Sequence, residues 1–428
     1  MIHFHKFVLD NGLRVIVHED NSSPMVAVNV LYDVGARDEL EDKTGFAHLF
    51  EHLMFSGSMH IPNYDMPLQM AGGENNAYTT NDITNYYLQL PKENLETALW
   101  LESDRMLSLA FNEQGLEVQR KVVMEEFKEH YINKPYGDVW QHIREMAYTT
   151  HPYKWMTIGR KLEHIEQATL EDVKAFFKKH YNPLNAVLCV AGNVTAEEAR
   201  AAVEKWFGNI PPGEKYERNL PQEPLQTEKR TKTVYAPVPV DAFYKVWHIA
   251  PRLQSGYYIA DILSEVLGGG NSSRLYEILI KEQQLFSDIS CYHTGSLDAG
   301  LLVIAGRLSK GVSMEAAEAA VDTIINDIIV QGITSDELEK AINKVEAMIV
   351  FEDVNLLSRA NNLAFYELLG DAAMMNTEME NYDGISLEDV KVYAARTLVD
   401  TNSSVLYYYA DGKTAIAEEE DDDDEDDE

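Results

Sequence analysis

The sequence predicts an α+β fold of two homologous domains, each an antiparallel sheet with helices packed on one face. Three observations support this prediction. A segment near the middle of the chain recurs near its end, strand-like segments follow one another, and helix-like segments cluster after them. With 428 residues, the chain is also too long for one ordinary hydrophobic core.

The internal repeat consists of five identical letters and the order of the elements around them. Residues 170–174 read Leu-Glu-Asp-Val-Lys, and the same letters recur at 387–391, an offset of 217 residues. In each copy a helix-like segment precedes an apolar strand, at 186–190 and at 405–409. Five letters alone can match by chance, but the shared order of elements indicates a duplicated unit.

The composition between the two copies predicts the domain boundaries. Pro211-Pro212-Gly213 opens a polar, proline-containing stretch that is typical of an interdomain linker. We expect a first domain at 1–212, a linker at 213–231 and a second domain at 232–412. The last eleven residues, Glu418 to Glu428, are all acidic, and they predict a disordered, solvated tail at 413–428.

Hydrophobic patterning predicts the order of elements in the first domain. Residues 13–17 and 26–30 alternate or run apolar, as strands do. A helix is then expected at about 45–56, two strands around 76–80 and 83–89, and long helices at about 92–109 and 114–131.

Charge and composition exclude several classes of protein. A net charge of −35 would repel a nucleic-acid backbone, and no apolar run approaches the length that spans a bilayer. The N-terminal residues lack the pattern of a secretory signal, which favours a cytoplasmic protein, although a periplasmic or organellar mature form would look the same. Cys189 and Cys291 are too few for a disulfide scaffold or a thiolate zinc site, and we expect both in the core.

The segment Gly45–Phe55 contains the pattern H-x-x-E-H in an apolar context. On a helix, His48 and His52 lie four residues apart on one face, so both imidazoles can bind one metal ion. Glu51 emerges beside that face and is placed to take a proton from an attacking water. This inverted-zincin pattern predicts a zinc peptidase. The alternative is a pair of partly buried histidines that are satisfied by hydrogen bonds.

A catalytic zinc site of this kind needs a third protein ligand, preferably a carboxylate. The chain offers Glu125 and Glu126 on a later helix-like segment, with Glu126 74 residues after His52. Spacing alone does not choose between these two glutamates.

Over nearly its whole globular length the chain resembles the pitrilysin and mitochondrial processing peptidase family of zinc peptidases. The segments that carry the resemblance are 9–15, 45–55, 76–79, 82–87, the Glu126 segment and 272–276. The resemblance implies that Glu126 is the third ligand of one zinc ion per chain, and that Asn76 and Ala77 lie on an edge strand that accepts substrate. It also places Gln119 where the family has a glutamate that helps to orient the metal site, and Glu117 is the alternative residue for that role.

The second half lacks a histidine pair near Ala260–Glu265, so we expect a copy without metal. Self-sufficient family members carry an arginine and, seven residues on, a tyrosine that bind the substrate carbonyl. The corresponding positions here are Ile280 and Ser287, and Lys281 and Tyr292 are out of register. This departure suggests a zinc-bearing subunit whose homologous partner, lacking the zinc motif, supplies the pair. Gly268-Gly269-Gly270 has no Lys-Ser/Thr at Walker spacing, so we expect a helix end rather than a phosphate loop.

The function that these residues favour is endopeptidic hydrolysis of short or unfolded peptides in an enclosed chamber, with zinc as cofactor and peptides and a homologous subunit as partners. Two alternatives remain. One is a non-catalytic scaffold subunit, as in respiratory-complex core relatives of the family. The other is a dedicated presequence-processing subunit.

Overall fold

The computed structural model describes residues 1–412 of the chain. The tail predicted to be disordered, 413–428, lies outside the described residues. Within the described part the fold is α+β with two sheets, as predicted. No helix in this part is long and apolar enough to cross a membrane.

The first sheet has six strands in the order β1-β2-β6-β3-β5-β4. All neighbouring strands are antiparallel except β2 and β6, which are parallel. A parallel pair requires a long crossover, and here that connection contains most of the helices of the first half. The strands are β1 (His5–Val8), β2 (Arg14–Glu19), β3 (Met25–Tyr32), β4 (Glu74–Thr79), β5 (Thr84–Pro91) and β6 (Ala186–Gly192).

The second sheet repeats this arrangement with five strands in the order β7-β11-β8-β10-β9. Its one parallel pair, β7 with β11, corresponds to β2 with β6. The common order confirms that the two halves share one topology, as the recurring letters indicated. The strands are β7 (Arg230–Ala236), β8 (Ala242–His248), β9 (Phe286–His293), β10 (Leu301–Leu308) and β11 (Ser403–Ala410).

The helices follow the predicted clustering, although several are shorter than expected. One π-helical turn, Lys128–Ile132, follows α4, and a second, Tyr276–Glu282, precedes β9. The helix α9 ends at Gly268, so the glycine run terminates a helix, as predicted. The α-helices of the first half are α1 (Phe46–Leu53), α2 (Asp65–Met70), α3 (Leu95–Leu107), α4 (Glu113–Phe127), α5 (Val139–Ala147), α6 (Leu162–Glu166), α7 (Leu170–His180) and α8 (Ala196–Phe207). Those of the second half are α9 (Ser255–Gly268), α10 (Met314–Gln331), α11 (Ser335–Glu352), α12 (Leu356–Leu369) and α13 (Leu387–Thr397).

Each sheet buries one face under helices of its own half and the other face under a helix of the opposite half. Ala360, Leu363 and Ala364 of α12 pack on the first sheet. Val139 and Ile143 of α5 pack on the second sheet. The sequence patterning predicted helices on only one face of each sheet. The helix from the opposite half was not predicted, because periodicity within a strand does not identify which distant segment covers the second face. Burial on both faces explains the nearly continuous apolar strands, and it places Cys189 and Cys291 in the core, as expected.

Salt bridges add to this packing between the halves. Arg37 Nη1 lies 2.9 Å from Asp82 Oδ1 in the first half and 3.1 Å from Asp298 Oδ2 in the second. The Arg37 and Asp82 side chains are buried and their contact is shielded from solvent and salt, whereas Asp298 is 46% exposed.

We expect Leu363→Ala to lower the free energy of unfolding by about 2–5 kcal/mol, because it removes a fully buried side chain between the halves. Leu363 has no exposed surface. Denaturant unfolding, followed by circular dichroism, measures the loss. Val392→Ala is the control, since Val392 is 46% exposed and its truncation should change stability by less than about 0.5 kcal/mol. Equal effects of the two variants would contradict the packing described here.

Glu223, in the predicted linker, makes stability depend on pH. Its carboxylate accepts backbone N–H bonds from Thr149 at 2.8 Å and from Thr150 and His151 at 2.9 Å. Burial acts to raise its pKa, but these hydrogen bonds outweigh burial and lower the pKa to about 2. Since the unfolded value is near 4.3, the stabilisation is present above about pH 5 and is lost as pH falls toward 2.

We therefore expect the difference in unfolding midpoint between the wild type and Glu223→Gln to narrow as pH falls. The loss of a charged acceptor for three N–H groups makes the variant less stable near neutral pH. Thermal unfolding of both proteins across an acidic pH series measures the difference. A difference that stayed constant from neutral to acidic pH would show that Glu223 is not the group that titrates.

Candidate metal centre

Helix α1 forms where the sequence predicted it, because an apolar face fits it against the core. The opposite face presents His48, Glu51 and His52 toward α4 and β4. The buried residues on the apolar face are Phe46, Ala47, Leu49, Phe50 and Leu53.

Helix α4 brings Glu126 to the two histidines. His48 Nε2 lies 3.6 Å from Glu126 Oε1, and His52 Nε2 lies 3.3 Å from Glu126 Oε2. The ligand atoms of all three residues lie within 4.8 Å of one another. Within residues 1–412, they form the one such group of metal-binding side chains. Glu125, the other candidate, instead pairs with Lys128 at 2.6 Å.

The distance from each histidine nitrogen to one oxygen of Glu126 is the spacing of ligand atoms in a tetrahedral zinc site. With zinc–ligand bonds of about 2.0–2.2 Å, neighbouring ligand atoms lie roughly 3.3–3.6 Å apart. Both histidine–carboxylate distances fall in this range. Two imidazoles and one carboxylate also match the ligand set of catalytic zinc sites. The residues present therefore fit a zinc ion.

Electrostatics favour the metal-binding forms of His48 and Glu126. Burial lowers the pKa of His48 to about 4, with Glu126 opposing that shift and His52 adding to it. The hydrogen bond with His52 lowers the pKa of Glu126, against the effect of burial. Neutral imidazole and ionised carboxylate are the forms that bind zinc.

Glu51 lies beside the ligands and is held by β4. Its Oε2 accepts a hydrogen bond of 2.6 Å from the Thr79 hydroxyl. Burial raises the pKa of Glu51, and the bond from Thr79 partly opposes that shift. A carboxylate with a raised pKa is a better proton acceptor, which suits a general base. Thr79 was not singled out from the sequence, because its role depends on β4 packing against α1.

Asn76 and Ala77 lie on β4, which is the edge strand of the first sheet. The Ala77 N–H donates to Asn76 Oδ1 at 2.8 Å and so points away from the ladder with β5. The outer edge of β4 therefore carries backbone groups that do not pair with another strand of the described structure. Such an edge can accept an added strand.

Gln119 lies on α4 but does not contact the candidate ligand side chains. Its Nε2 donates to Ser56 Oγ at 2.8 Å, and the Ser56 hydroxyl donates to the His52 carbonyl at 3.4 Å. Glu117 pairs with Arg120 and Lys121. Gln119 therefore reaches the end of α1, and neither residue hydrogen-bonds to a ligand side chain in the described structure.

Two family models match the chain, one in each half. The model described as "Insulinase (Peptidase family M16)" matches residues 14–161, and "Peptidase M16 inactive domain" matches residues 167–345. The chain belongs to peptidase family M16. The resemblance inferred from the sequence is thereby confirmed. In this M16 chain, the half that matches the inactive-domain model holds no group of side chains suited to a metal among the described residues.

Relatives of this M16 chain match it over most of their length. "Zinc protease PqqE" of Helicobacter pylori is 28% identical over 411 residues, covering 93% of this chain and 91% of the relative. "Mitochondrial-processing peptidase subunit beta" of Saccharomyces cerevisiae is 25% identical over 415 residues, covering 90% and 87%. Among solved structures, a protease from Helicobacter pylori superposes with a TM-score of 0.89 at 26% identity, covering 95% of this chain and 100% of that one. Pitrilysin shares the fold, with a TM-score of 0.75 at 19% identity over 96% of this chain and 45% of its own.

Ile280 and Ser287, which the sequence resemblance placed at the positions of an arginine and a tyrosine, lie in the second half of this M16 chain. Ile280 is in the π-helical turn Tyr276–Glu282, and Ser287 is on β9. The Ser287 hydroxyl donates to the Arg307 carbonyl at 3.2 Å. Lys281 pairs with Glu277 at 2.6 Å, so its charge is already engaged locally.

Glu39 holds the start of the metal-site helix of this M16 chain, a role that the sequence did not indicate. Its two carboxylate oxygens accept N–H bonds of 2.8 Å from Gly45 and Ala47. Gly45, at the N-cap with φ +89°, has no side chain to fill this role, and an added Cβ would lie 2.6 Å from the Ile158 carbonyl oxygen. A glycine at the N-cap indicates that another residue must accept the first N–H groups of α1, but the sequence does not show that this residue is Glu39.

We expect Glu39→Gln to destabilise this M16 chain by about 1–3 kcal/mol, because an amide offers one acceptor and leaves the second buried N–H unpaired. We also expect weaker zinc binding, since α1 carries both histidines. Denaturant unfolding and competition with a chelator measure the two effects. Glu41→Gln is the matched control, because Glu41 is 59% exposed and makes only surface ion pairs with Lys154 and Arg160. Zinc affinity and stability unchanged in Glu39→Gln would refute this role.

Proposed function

We propose that this chain is a zinc-dependent endopeptidase for short or unfolded peptides, and the zinc subunit of a heterodimer. The observation that carries the proposal is the convergence of His48, His52 and Glu126, with Glu51 beside them. The names of relatives as zinc proteases support the same class of activity.

In this proposal His48, His52 and Glu126 hold the zinc ion. When bound, zinc supplies a Lewis acid that polarises a peptide carbonyl and acidifies an attacking water. Helix α1 orients two ligands with one turn of backbone, and α4 supplies the third. Because each segment is packed in the core, the ligands are held in position before substrate arrives.

Glu51 accepts the proton of the attacking water at its carboxylate and later delivers it to the leaving amine. The Thr79 hydroxyl, donating to Oε2, orients that carboxylate and leaves Oε1 for the water. The raised pKa that burial imposes favours this use as both base and acid.

The substrate binds in this proposal as a strand added to β4. Backbone groups at Asn76 and Ala77 would pair with an extended peptide, with the Asn76 amide moving away from the Ala77 N–H. Pairing through the backbone places little demand on side chains. This mode suits unfolded peptides, because a folded domain does not present a free extended segment.

The heterodimer part of the proposal rests on Ile280 and Ser287, which replace the arginine and tyrosine of self-sufficient relatives. Neither side chain can stabilise negative charge on the substrate carbonyl as an arginine does. A homologous partner that carries the pair would complete the site and enclose the peptide between the two subunits. A relative that is named as a subunit, the yeast subunit beta, supports this arrangement.

We expect the purified chain to bind about one zinc ion and to cleave unstructured peptides only when mixed with a homologous subunit that carries the Arg–Tyr pair. Glu51→Gln should keep the metal and lose cleavage by roughly a thousandfold or more, because only the proton acceptor is removed. Metal analysis and a peptide cleavage assay, with and without the partner, measure both.

Other outcomes separate the alternatives. Full activity of the chain alone, dependent on Glu51, would reject the heterodimer and keep the peptidase. Cleavage confined to one position of targeting presequences would favour a dedicated processing subunit. No metal and no cleavage under any of these conditions would favour a non-catalytic scaffold.

A further inference from the structure

A cleft of about 390 Å³ lies between the two halves, at the end of the edge strand β4. Thr80 and Asn81, which follow β4 directly, line one side. The loop between β9 and β10 and helix α12 line the other, through Ser296 and Asn361. Both halves of the chain therefore build this cleft, and it adjoins the strand that would hold a peptide.

Arg144, on α5, lines this cleft and lacks a carboxylate partner in the described structure. Its Nη1 donates to Asn81 Oδ1 at 3.0 Å and to the carbonyls of Tyr153 and Trp155 at 3.2 Å each. Its Nη2 makes no hydrogen bond within residues 1–412, and its Nε is buried there without a partner. Nη2 is therefore the part of the guanidinium that remains to bind a ligand.

The three buried arginines of the described structure are each neutralised by a nearby carboxylate. Arg37 pairs with Asp82 at 2.9 Å, Arg105 with Glu102 at 2.6 Å and Arg252 with Glu378 at 2.5 Å. Burying a guanidinium without a counter-ion is costly, and a carboxylate ligand would offset that cost with a charge-assisted bond. Arg144 differs from these three, because it is held by backbone carbonyls and an amide, as the partly buried Arg14 and Arg230 are held by carbonyls, but it alone of these lines the cleft.

Asp82 is the acidic residue that lines the cleft, and its oxygens are engaged elsewhere. Oδ1 pairs with Arg37 at 2.9 Å and accepts from the Tyr153 hydroxyl, and Oδ2 accepts the Leu297 N–H at 3.0 Å. Asp82 makes no ion pair with Arg144 in the described structure. The charge that the cleft can offer a ligand is therefore positive.

The cleft lies within reach of a peptide on β4. Thr79 holds Glu51, and Asn81, which bonds Arg144, is two residues further along the chain. Two residues span at most about 7 Å, and an extended peptide advances roughly 3.3 Å per residue. A peptide side chain or terminus two to four residues from the cleaved bond, which would lie at Glu51, can therefore enter the cleft.

We infer that Arg144 forms a carboxylate-binding subsite, so that this chain prefers peptides with a carboxylate two to four residues from the cleaved bond. The inference rests on the proposed peptidase function. The ligand is a carboxylate of the peptide, from an Asp or Glu side chain or from the free C-terminus. Asn81 positions Arg144 through its amide oxygen, and Nη2 of the guanidinium donates a charge-assisted hydrogen bond to the carboxylate.

The test uses matched peptides and the full chain, with its partner subunit if cleavage requires one. One pair of peptides differs by Glu or Gln two to four residues from the cleaved bond, and a second pair differs by a free or amidated C-terminus. We expect kcat/KM to be about 10–100-fold higher for the carboxylate member of at least one pair, as for other hydrogen bonds to charged groups. The pair that shows the preference identifies the source of the carboxylate.

Arg144→Gln should abolish this preference with little change for the neutral peptides. Arg144→Lys, which retains the charge, should keep part of it, and it serves if the glutamine variant does not fold. Arg200→Gln is the control, because Arg200 is 51% exposed and pairs with Glu204 on α8. Equal kcat/KM for both members of each pair in the wild type would overturn the inference.

Equilibrium binding separates failure of this inference from failure of the proposed function. Glu51→Gln chain is titrated with the same peptides, so binding is measured without turnover. A carboxylate preference in binding, lost in the Arg144→Gln double variant, would support the subsite even if no peptide were cleaved. Cleavage that requires Glu51 but shows no carboxylate preference would keep the peptidase and reject the subsite.

Discussion

The burial of both faces of each sheet is the constraint on which the rest of the structure depends. Each half covers one face of its sheet with its own helices and leaves an apolar face that must be removed from water. Helix α12 covers that face in the first half, and α5 covers it in the second. The exchange is reciprocal, so neither half completes its core alone. It also fixes the relative position of the halves, which decides what lies at their boundary.

This exchange connects the candidate metal centre to the second half. Glu126 is on α4, and the chain then passes through a π-helical turn and Tyr136 to reach α5 on the second sheet. Tyr136 has a left-handed backbone, with φ of 61°, and its hydroxyl both accepts from the Val240 N–H and donates to the Val240 carbonyl. The segment that carries the third candidate ligand is therefore anchored at both ends, by the first core and by the second.

The candidate site, like the fold, depends on contacts between segments that are far apart in the chain. Glu39 binds the start of α1, Thr79 binds Glu51, and Asn81 binds Arg144. Each of these contacts places a charged or reactive side chain by a hydrogen bond in a shielded position, where such bonds are stronger than in water. A site assembled in this way is organised before any ligand binds.

The sequence by itself determined the fold class, the duplication and the core of the site. The duplication was readable because equal letters and equal element order survive along the chain. His48, Glu51 and His52 were readable because helical periodicity places residues three and four apart on one face. Glu126 needed the family resemblance to be chosen over Glu125. The tertiary structure alone decided that α5 and α12 exchange sheets, that Glu39 caps α1, and that Arg144 faces a cleft without a counter-ion. These features depend on contacts between residues far apart in the chain, and local patterns of hydrophobicity and spacing do not specify which distant surfaces pack together.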